Sequence, residues 1–238
     1  MTWERLAGWW IDELAADPAY DEEIAPLLIR LLDPQPDRLY ADLGCGTGRL
    51  ATRVSDSGAR IVGCDLNLEL LRIARKECPV VQSVLPDLRW VRRSSFDGAY
   101  VGLVLEHVED EAAFFAQVAE AVRPGGVLAM VINHPVWTAP RSTPIEVPEG
   151  EILWRTGAYF GKGFSDEPAG KAKVRFYHRS MAHLLNAASN AGWDVRYLSE
   201  SGISQRQMER FPEYAGQEQI PRLLGIRWEQ RQPSRLTP

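Results

Sequence analysis

The spacing of apolar and polar positions changes period several times along this chain, and each change marks an element. From Tyr20 to Leu32 the acids come first and apolar residues follow at helical spacing, so the segment reads as an amphipathic helix with its acids at the positive end. Asp33-Pro34-Gln35-Pro36 breaks it, because proline lacks the amide a helix interior needs. Two short apolar runs, Leu39 to Leu43 and Arg60 to Leu66, flank a helix-length stretch carrying Leu50, Ala51 and Val54. The rhythm repeats with a helix near 67–76, strands near 79–84 and 98–104, a helix at 110–122 and a strand at 126–132. Such alternation predicts an α/β fold, a mostly parallel sheet with helices on both faces.

After Asn133 the periodicity stops. From His134 to Arg179 prolines, glycines and aromatics crowd a stretch without regular spacing, which predicts a long loop acting as a lid over a site. Periodicity resumes with Ser180 as a helix N-cap, an apolar helix through about Asn190 and Gly192 just past its end. Strands near Trp193–Leu198 and Leu223–Trp228 follow, joined by a Gln- and Glu-rich connector, so this last pair is expected as an antiparallel edge. No repeat or linker divides the chain. It reads as one domain over 1–238, with a helical cap at 1–33 and an insertion at 134–179.

Composition narrows the classes. With 238 residues and 45% apolar content the chain can bury a sizeable core, and no apolar run approaches the roughly 20 residues a membrane helix needs. The segment Met1-Thr2-Trp3-Glu4-Arg5 meets Asp12 and Glu13 too early for a secretory signal, so a cytoplasmic location is expected. A net charge of −5 argues against a nucleic-acid partner, and Arg89, Arg92 and Arg93 read as a solvated face. Cys45, Cys64 and Cys78 lack metal-ligand spacing and read as small apolar residues, with no metal site expected.

The informative segment is Ala41-Asp42-Leu43-Gly44-Cys45-Gly46-Thr47-Gly48-Arg49-Leu50, placed where the first strand turns into a helix. Glycines at alternate positions permit a sharp turn and close approach of a ligand, and a helix N-terminus offers unpaired amides. Asp65 closes the next strand, 17 positions after Gly48, near the spacing of a carboxylate that grips ribose hydroxyls. Gly46 to Ala51 also satisfies the loose dinucleotide fingerprint, which leaves a nicotinamide-dependent oxidoreductase as an alternative. Asp42 discriminates, because a carboxylate beside the turn repels a pyrophosphate and suits a cofactor bearing an ammonium and a sulfonium.

Asp42 to Gly48 closely resembles the first motif of the class I S-adenosylmethionine-dependent methyltransferases, and Val62-Gly63-Cys64-Asp65-Leu66 is similar to the second. Ser95 to Asp110 resembles the family's fourth strand and following turn, and Arg123-Pro124-Gly125-Gly126-Val127-Leu128 its entry to the fifth. The resemblance implies a Rossmann-like sheet of seven strands with an antiparallel C-terminal strand, and S-adenosylmethionine as cofactor. It implies that Asp42, Gly44, Cys45, Gly46 and Gly48 surround the methionine half, Asp65 the ribose and Leu66 the adenine. Leu103, His107 and Tyr20 would lie near the cofactor as well. Where many relatives have Gly-Asp in the third motif this chain has Ser83-Val84, leaving Asp87 or the backbone of Val84 and Leu85 to meet the adenine.

Proton-accepting candidates are His134, directly after the fifth strand, and His178, ahead of the later helix. His107 would chiefly orient its turn and His183 is structural. Aromatics of the insertion, Trp137 to Tyr177, either line a pocket or form the lid's own core, while Trp3, Trp9 and Trp10 read as packing. A small-molecule acceptor is expected, with O-, N- and C-methylation open and a non-catalytic binding protein the remaining alternative. Oligomeric state is not readable.

Overall fold

The computed structural model describes residues 3, 6–16, 18–148 and 150–232. Part of the N-terminal segment weighed as a secretory signal falls outside them. Seven strands form one sheet: β1 (Leu39–Leu43), β2 (Arg60–Asp65), β3 (Val80–Gln82), β4 (Phe96–Gly102), β5 (Val122–Asn133), β10 (Trp193–Ser201) and β11 (Leu223–Gln230), in the order β10-β11-β5-β4-β1-β2-β3. β1 to β5 pair in parallel, whereas β11 runs antiparallel between β5 and β10. The expected antiparallel pair is there, with β11 inside the sheet and β10 at its edge.

Alternation along each strand sorts side chains onto two faces. Leu43, Val101, Leu128, Met130 and Trp228 pack with Phe114, Phe115 and Leu184, from helices α5 (Glu111–Ala121) and α7 (Met181–Asn190). Tyr40, Tyr100, Ala129 and Val131 face the other way, onto α2 (Ala25–Leu32) and α3 (Arg49–Ser55). Caps follow the sequence: Asn67 accepts from the amides of Glu69 and Leu70 at the start of α4 (Leu68–Ala74), Asp110 caps α5 and Ser180 caps α7. Tyr20–Ile24 is a π-helical turn leading into α2, and α1 (Ala7–Ala16) precedes it.

The stretch from His134 to Arg179 is not the predicted irregular loop. It holds the short helix α6 (Pro135–Thr138) and two antiparallel hairpins, β6 (Thr143–Glu146) with β7 (Ile152–Arg155) and β8 (Gly163–Ala169) with β9 (Ala172–His178). β6, β7 and β8 expose much of their length and show little apolar face in sequence, whereas β9 does alternate, with Ala172, Val174 and Phe176 packed in one cluster with Leu6 and Trp9. The β8–β9 turn is legible afterwards: Gly170 takes φ of 59° at the first of two turn positions, as a type II′ hairpin requires. Short turns at Gln205–Arg210 (α8) and Pro212–Tyr214 join β10 to β11. Among the described residues no helix is long and apolar enough to cross a membrane.

Candidate active site at the carboxyl edge of the sheet

Parallel strands end together, and the crevice beyond their carboxyl ends is where ligands bind in such sheets. A cavity of about 440 Å³ opens there, within the roughly 300–1,000 Å³ of small-molecule pockets. Its floor begins at the turn after β1. Gly44, Gly46 and Gly48 all take positive φ, and a Cβ on Gly44 would stand 2.6 Å from the Val104 side chain. The amides of Gly44 and Cys45 donate to the Cys64 carbonyl at 2.8 and 2.9 Å, tying the turn to β2.

Asp65 organises this turn as well as facing the cavity. Its Oδ2 accepts from the Gly46 amide at 2.9 Å and its Oδ1 from the Asn67 amide at 2.8 Å. Burial lifts the Asp65 carboxyl above its ordinary range, with the amides of Asn67, Gly46 and Leu66 opposing. Leu66, Ser83, Val84 and Leu85 continue the wall beside it. Asp87 does not: its carboxylate pairs with Arg89 at 2.6 Å, outside the cavity lining. Backbone at Val84 and Leu85 is therefore what this region offers a base.

Asp42 lies behind the turn, 1% exposed, with Oδ2 lacking a hydrogen-bond partner. Burial pushes its carboxyl up to about 8, Tyr100 opposing and Asp65 adding to the rise. An unpaired buried carboxylate is costly without a cation nearby, and S-adenosylmethionine carries two. With its proton held at neutral pH, Asp42 becomes charged when a cation comes close, so the donor set fits that cofactor, whereas a pyrophosphate brings no cation to draw the proton off. Gly48 likewise stands outside the lining, as the N-cap of α3 with the Ala74 backbone 3.1 Å from the place of a Cβ. Cys45 does line the cavity, its thiol pushed up by burial.

Tyr20 and Leu103 form the next part of the wall, the Tyr20 ring under the Arg49 guanidinium at 5.6 Å. His107 follows, held edge-on between Trp3 and Phe176 at 4.8 and 4.7 Å. Its Nδ1 donates to the Arg175 carbonyl at 3.0 Å, which fixes the tautomer and leaves Nε2 as an acceptor. Burial holds this imidazole down to about 4, so it is neutral at physiological pH.

Neither His134 nor His178 reaches the cavity. Asn133 lines it, so the next residue along the chain points elsewhere. His134 is 3% exposed, donates from Nε2 to Glu200 at 2.7 Å and accepts the Val136 amide on Nδ1, capping α6. His178 shares the face of Val174 and Phe176 but sits at the hairpin base, where Nε2 donates to the Tyr159 carbonyl at 2.8 Å. The structure brings neither of these two candidate proton acceptors to the cavity lining. His183 pairs with Glu111.

The roof comes from residues read in sequence as packing alone. Trp3, Trp9 and Trp10 contact one another and also line the cavity. A Cβ on Gly170 would stand 2.9 Å from the Trp9 ring, so the hairpin tip rests on α1. Glu13, Asn133, Glu167 and Arg222 are further lining residues that the sequence motifs do not mark. For Arg222 a signal existed, since an antiparallel strand begins at the edge where its parallel neighbours end. Among the described residues no group of three His, Cys, Asp or Glu could hold a metal ion.

A glycine turn, an acidic residue closing the next strand and a carboxyl-edge crevice define the nucleoside-binding class of doubly wound sheets. Residues 41–130 match the methyltransferase domain family. A methyltransferase structure from Mesorhizobium loti, described as S-adenosylmethionine-dependent, superposes with a TM-score of 0.78 at 29% identity, covering 88% of this chain and 99% of that one. Residues 41–130 thus match a methyltransferase domain, set in a chain with the Rossmann-like fold of S-adenosylmethionine-dependent methyltransferases. A demethylmenaquinone methyltransferase of Corynebacterium kroppenstedtii is 36% identical over 42% of this chain and 43% of that protein. A trans-aconitate 2-methyltransferase of an Azoarcus species is 34% identical over 43% of this chain and 44% of that protein. The chain spans less than half the length of these two relatives.

Because His134 acts as a cap and a partner of Glu200, His134→Ala should cost about 1–2 kcal/mol of stability in urea unfolding. Its affinity for S-adenosylhomocysteine should stay within about twofold of wild type, less than half a kcal/mol. A tenfold loss by calorimetry would return His134 to the site.

Proposed function

We propose that this protein transfers a methyl group from S-adenosylmethionine to a small-molecule acceptor held in the far half of the cavity. The observation that carries this reading is the continuity of the chamber, from Asp65 and Leu66 beside β2, past Gly44 and His107, to Asn133 and Arg222 beside β5 and β11. When bound, the cofactor supplies an electrophilic methyl on a sulfonium. Asp65 would receive the ribose hydroxyls, Leu66, Val84 and Leu85 would flank the adenine, and Gly44, Cys45 and Gly46 would pass backbone along the methionine. Asp42 would place negative charge behind that half, and Gly48 would hold the turn's exit into α3. Tyr20 and Leu103 would confine the reacting end.

Alignment supplies much of the rate in an in-line displacement, and a base is needed only for acceptors that shed a proton. His107 is the histidine placed to accept a proton there, since it lines the chamber and its neutral imidazole, with Nδ1 donating to the Arg175 carbonyl, keeps Nε2 as an acceptor. The acceptors in the relatives' names, demethylmenaquinone and trans-aconitate, support a small organic molecule as the substrate of this chain. Roofing by α1 and the β8–β9 hairpin supports a small acceptor over a nucleic acid and makes segments 1–33 and 134–179 the cap and insertion of one domain. Three free, buried thiols at Cys45, Cys64 and Cys78 suit the reducing cytoplasm.

Calorimetric titration of the purified protein with S-adenosylmethionine, S-adenosylhomocysteine and NADH tests the reading. Micromolar binding of the two sulfur nucleosides with none of NADH is expected. Binding of NADH alone would replace it with an oxidoreductase, and sulfur-nucleoside binding without methylation of any small acceptor would favour a non-catalytic binding protein.

A further inference from the structure

Among the described residues two cations line the cavity, Arg49 and Arg222. Arg49 is committed to the Asp21 carboxylate. Arg222 is held differently. Its backbone is pinned on both sides, the amide donating to the Ser201 carbonyl at 2.8 Å and its carbonyl accepting from the His134 amide at 2.7 Å. The guanidinium packs against two rings, 5.1 Å from the centroid of Trp137 and 5.3 Å from that of Tyr214. Trp137 is in turn stacked on Trp154 at 4.8 Å, whose indole donates to the Val136 carbonyl at 3.3 Å. Among the described residues no carboxylate or carbonyl accepts a hydrogen bond from this guanidinium.

An arginine offers five donors in a planar fork, and aromatic contacts satisfy its faces but not its edge. A half-buried fork packed against two rings, on a residue that lines the cavity, is the geometry that receives a carboxylate through two parallel hydrogen bonds. Resting on the methyl-transfer reading, and deepening it, we propose that Arg222 anchors a carboxylate of the acceptor, so that the substrate is a small organic acid. The cofactor has a carboxylate too, but the strand order separates the two. Gly44 closes β1 and Arg222 precedes β11, three strand steps away, about 14 Å at the usual spacing. The glycine turn and Arg222 therefore serve opposite ends of the chamber, and the anion at Arg222 lies on the acceptor's side.

The test uses protein saturated with S-adenosylhomocysteine, into which 4-hydroxybenzoate, trans-aconitate and the uncharged 4-hydroxybenzamide are titrated by calorimetry. At least one acid should bind, the amide should bind at least about tenfold more weakly than its acid, and Arg222→Gln should lose about tenfold or more in affinity for the acid. Arg222→Lys, which keeps the charge without the fork, should fall between and serves if the glutamine variant does not fold. S-adenosylhomocysteine should bind Arg222→Gln within about twofold of wild type. Equal acid binding by wild type and Arg222→Gln overturns the proposal, as does failure of both acids to bind at millimolar concentration. A tenfold loss of S-adenosylhomocysteine affinity in Arg222→Gln also overturns it, by assigning the arginine to the cofactor's carboxylate. If wild type binds no S-adenosylhomocysteine, the methyl-transfer reading fails separately, and the same acid titrations on unloaded protein decide the anchor.

Discussion

Asp65→Ala is expected to weaken S-adenosylhomocysteine binding by about 100-fold or more. A pair of hydrogen bonds to a charged acceptor contributes roughly 1.5–3 kcal/mol each, and about 2.7 kcal/mol already amounts to two decades of affinity. The carboxylate has a second task, because its Oδ2 receives the Gly46 amide and so fixes the turn that faces the methionine half. Alanine removes the ribose acceptor and that restraint together. Asp65→Asn separates them in part: one amide oxygen remains, but the amide nitrogen must face the Gly46 or Asn67 N–H as donor against donor. An intermediate loss of about tenfold is expected for it.

Loss of fold does not account for such a result. Burial raises the folded-state pKa of Asp65 above its unfolded value, so this group's contribution to stability is full below the unfolded pKa and is lost as pH rises through the folded one. At neutral pH alanine relieves that penalty while forfeiting two amide contacts, and the change in melting temperature of the unliganded protein should be small. The stabilisation that wild type gains from saturating S-adenosylhomocysteine should largely vanish. Unchanged affinity in Asp65→Ala would remove Asp65 from the ribose and with it the main assignment of the site.

What was legible in the sequence was what depends on local chain geometry. Asp42 to Gly48 and Asp65 could be placed because a strand, a glycine turn and the end of the next strand meet in one place whatever packs around them. Leu66, Val84, Leu85 and Leu103 came with the resemblance to the methyltransferase family, and all four line the cavity. The roles of His134 and His178 could not be read so, because they depend on which way a side chain points at a strand end. Asn133 faces the cavity and His134 therefore faces Glu200, a one-residue difference in parity that apolar spacing does not resolve. The roof was hidden for another reason. Trp3, Trp9 and Trp10 have helical spacing, which reports burial but not whether a ring buries against core or cavity. In the insertion only β9 alternates, Ala172, Val174 and Phe176 against Lys173, Arg175 and Tyr177, while β6, β7 and β8 are held by turns and pairing and left no matching period from which a hairpin could be read.

Arg179→Met is expected to cost about 3–5 kcal/mol of stability, the range for removing one partner of a buried charged network. The guanidinium is 7% exposed and uses all five of its donors. Nε donates to Glu111 at 2.9 Å, Nη1 to the carbonyls of Leu105 and Tyr177 at 3.1 and 3.2 Å, and Nη2 to those of Val108 and Glu109. One side chain thus joins the base of the β8–β9 hairpin, the first turn of α5 and the turn that carries His107. Methionine fills much of the volume but leaves four carbonyls and a carboxylate without their donor. Burial alone would raise the Glu111 carboxyl; Arg179, the Glu111 amide and His183 outweigh it and hold it at about 2. A depressed folded-state pKa contributes stability that is present above the unfolded value, near 4.5, and is lost as pH falls toward 2. The gap between wild type and Arg179→Met in urea unfolding should therefore be widest near pH 7 and narrow as Glu111 protonates. A gap below about 1 kcal/mol at pH 7 would mean that the carbonyls find other donors. In that case the turn bearing His107 is not held by Arg179, and the neutral imidazole lining the cavity would owe its position to the Arg175 carbonyl and the aromatic clamp of Trp3 and Phe176.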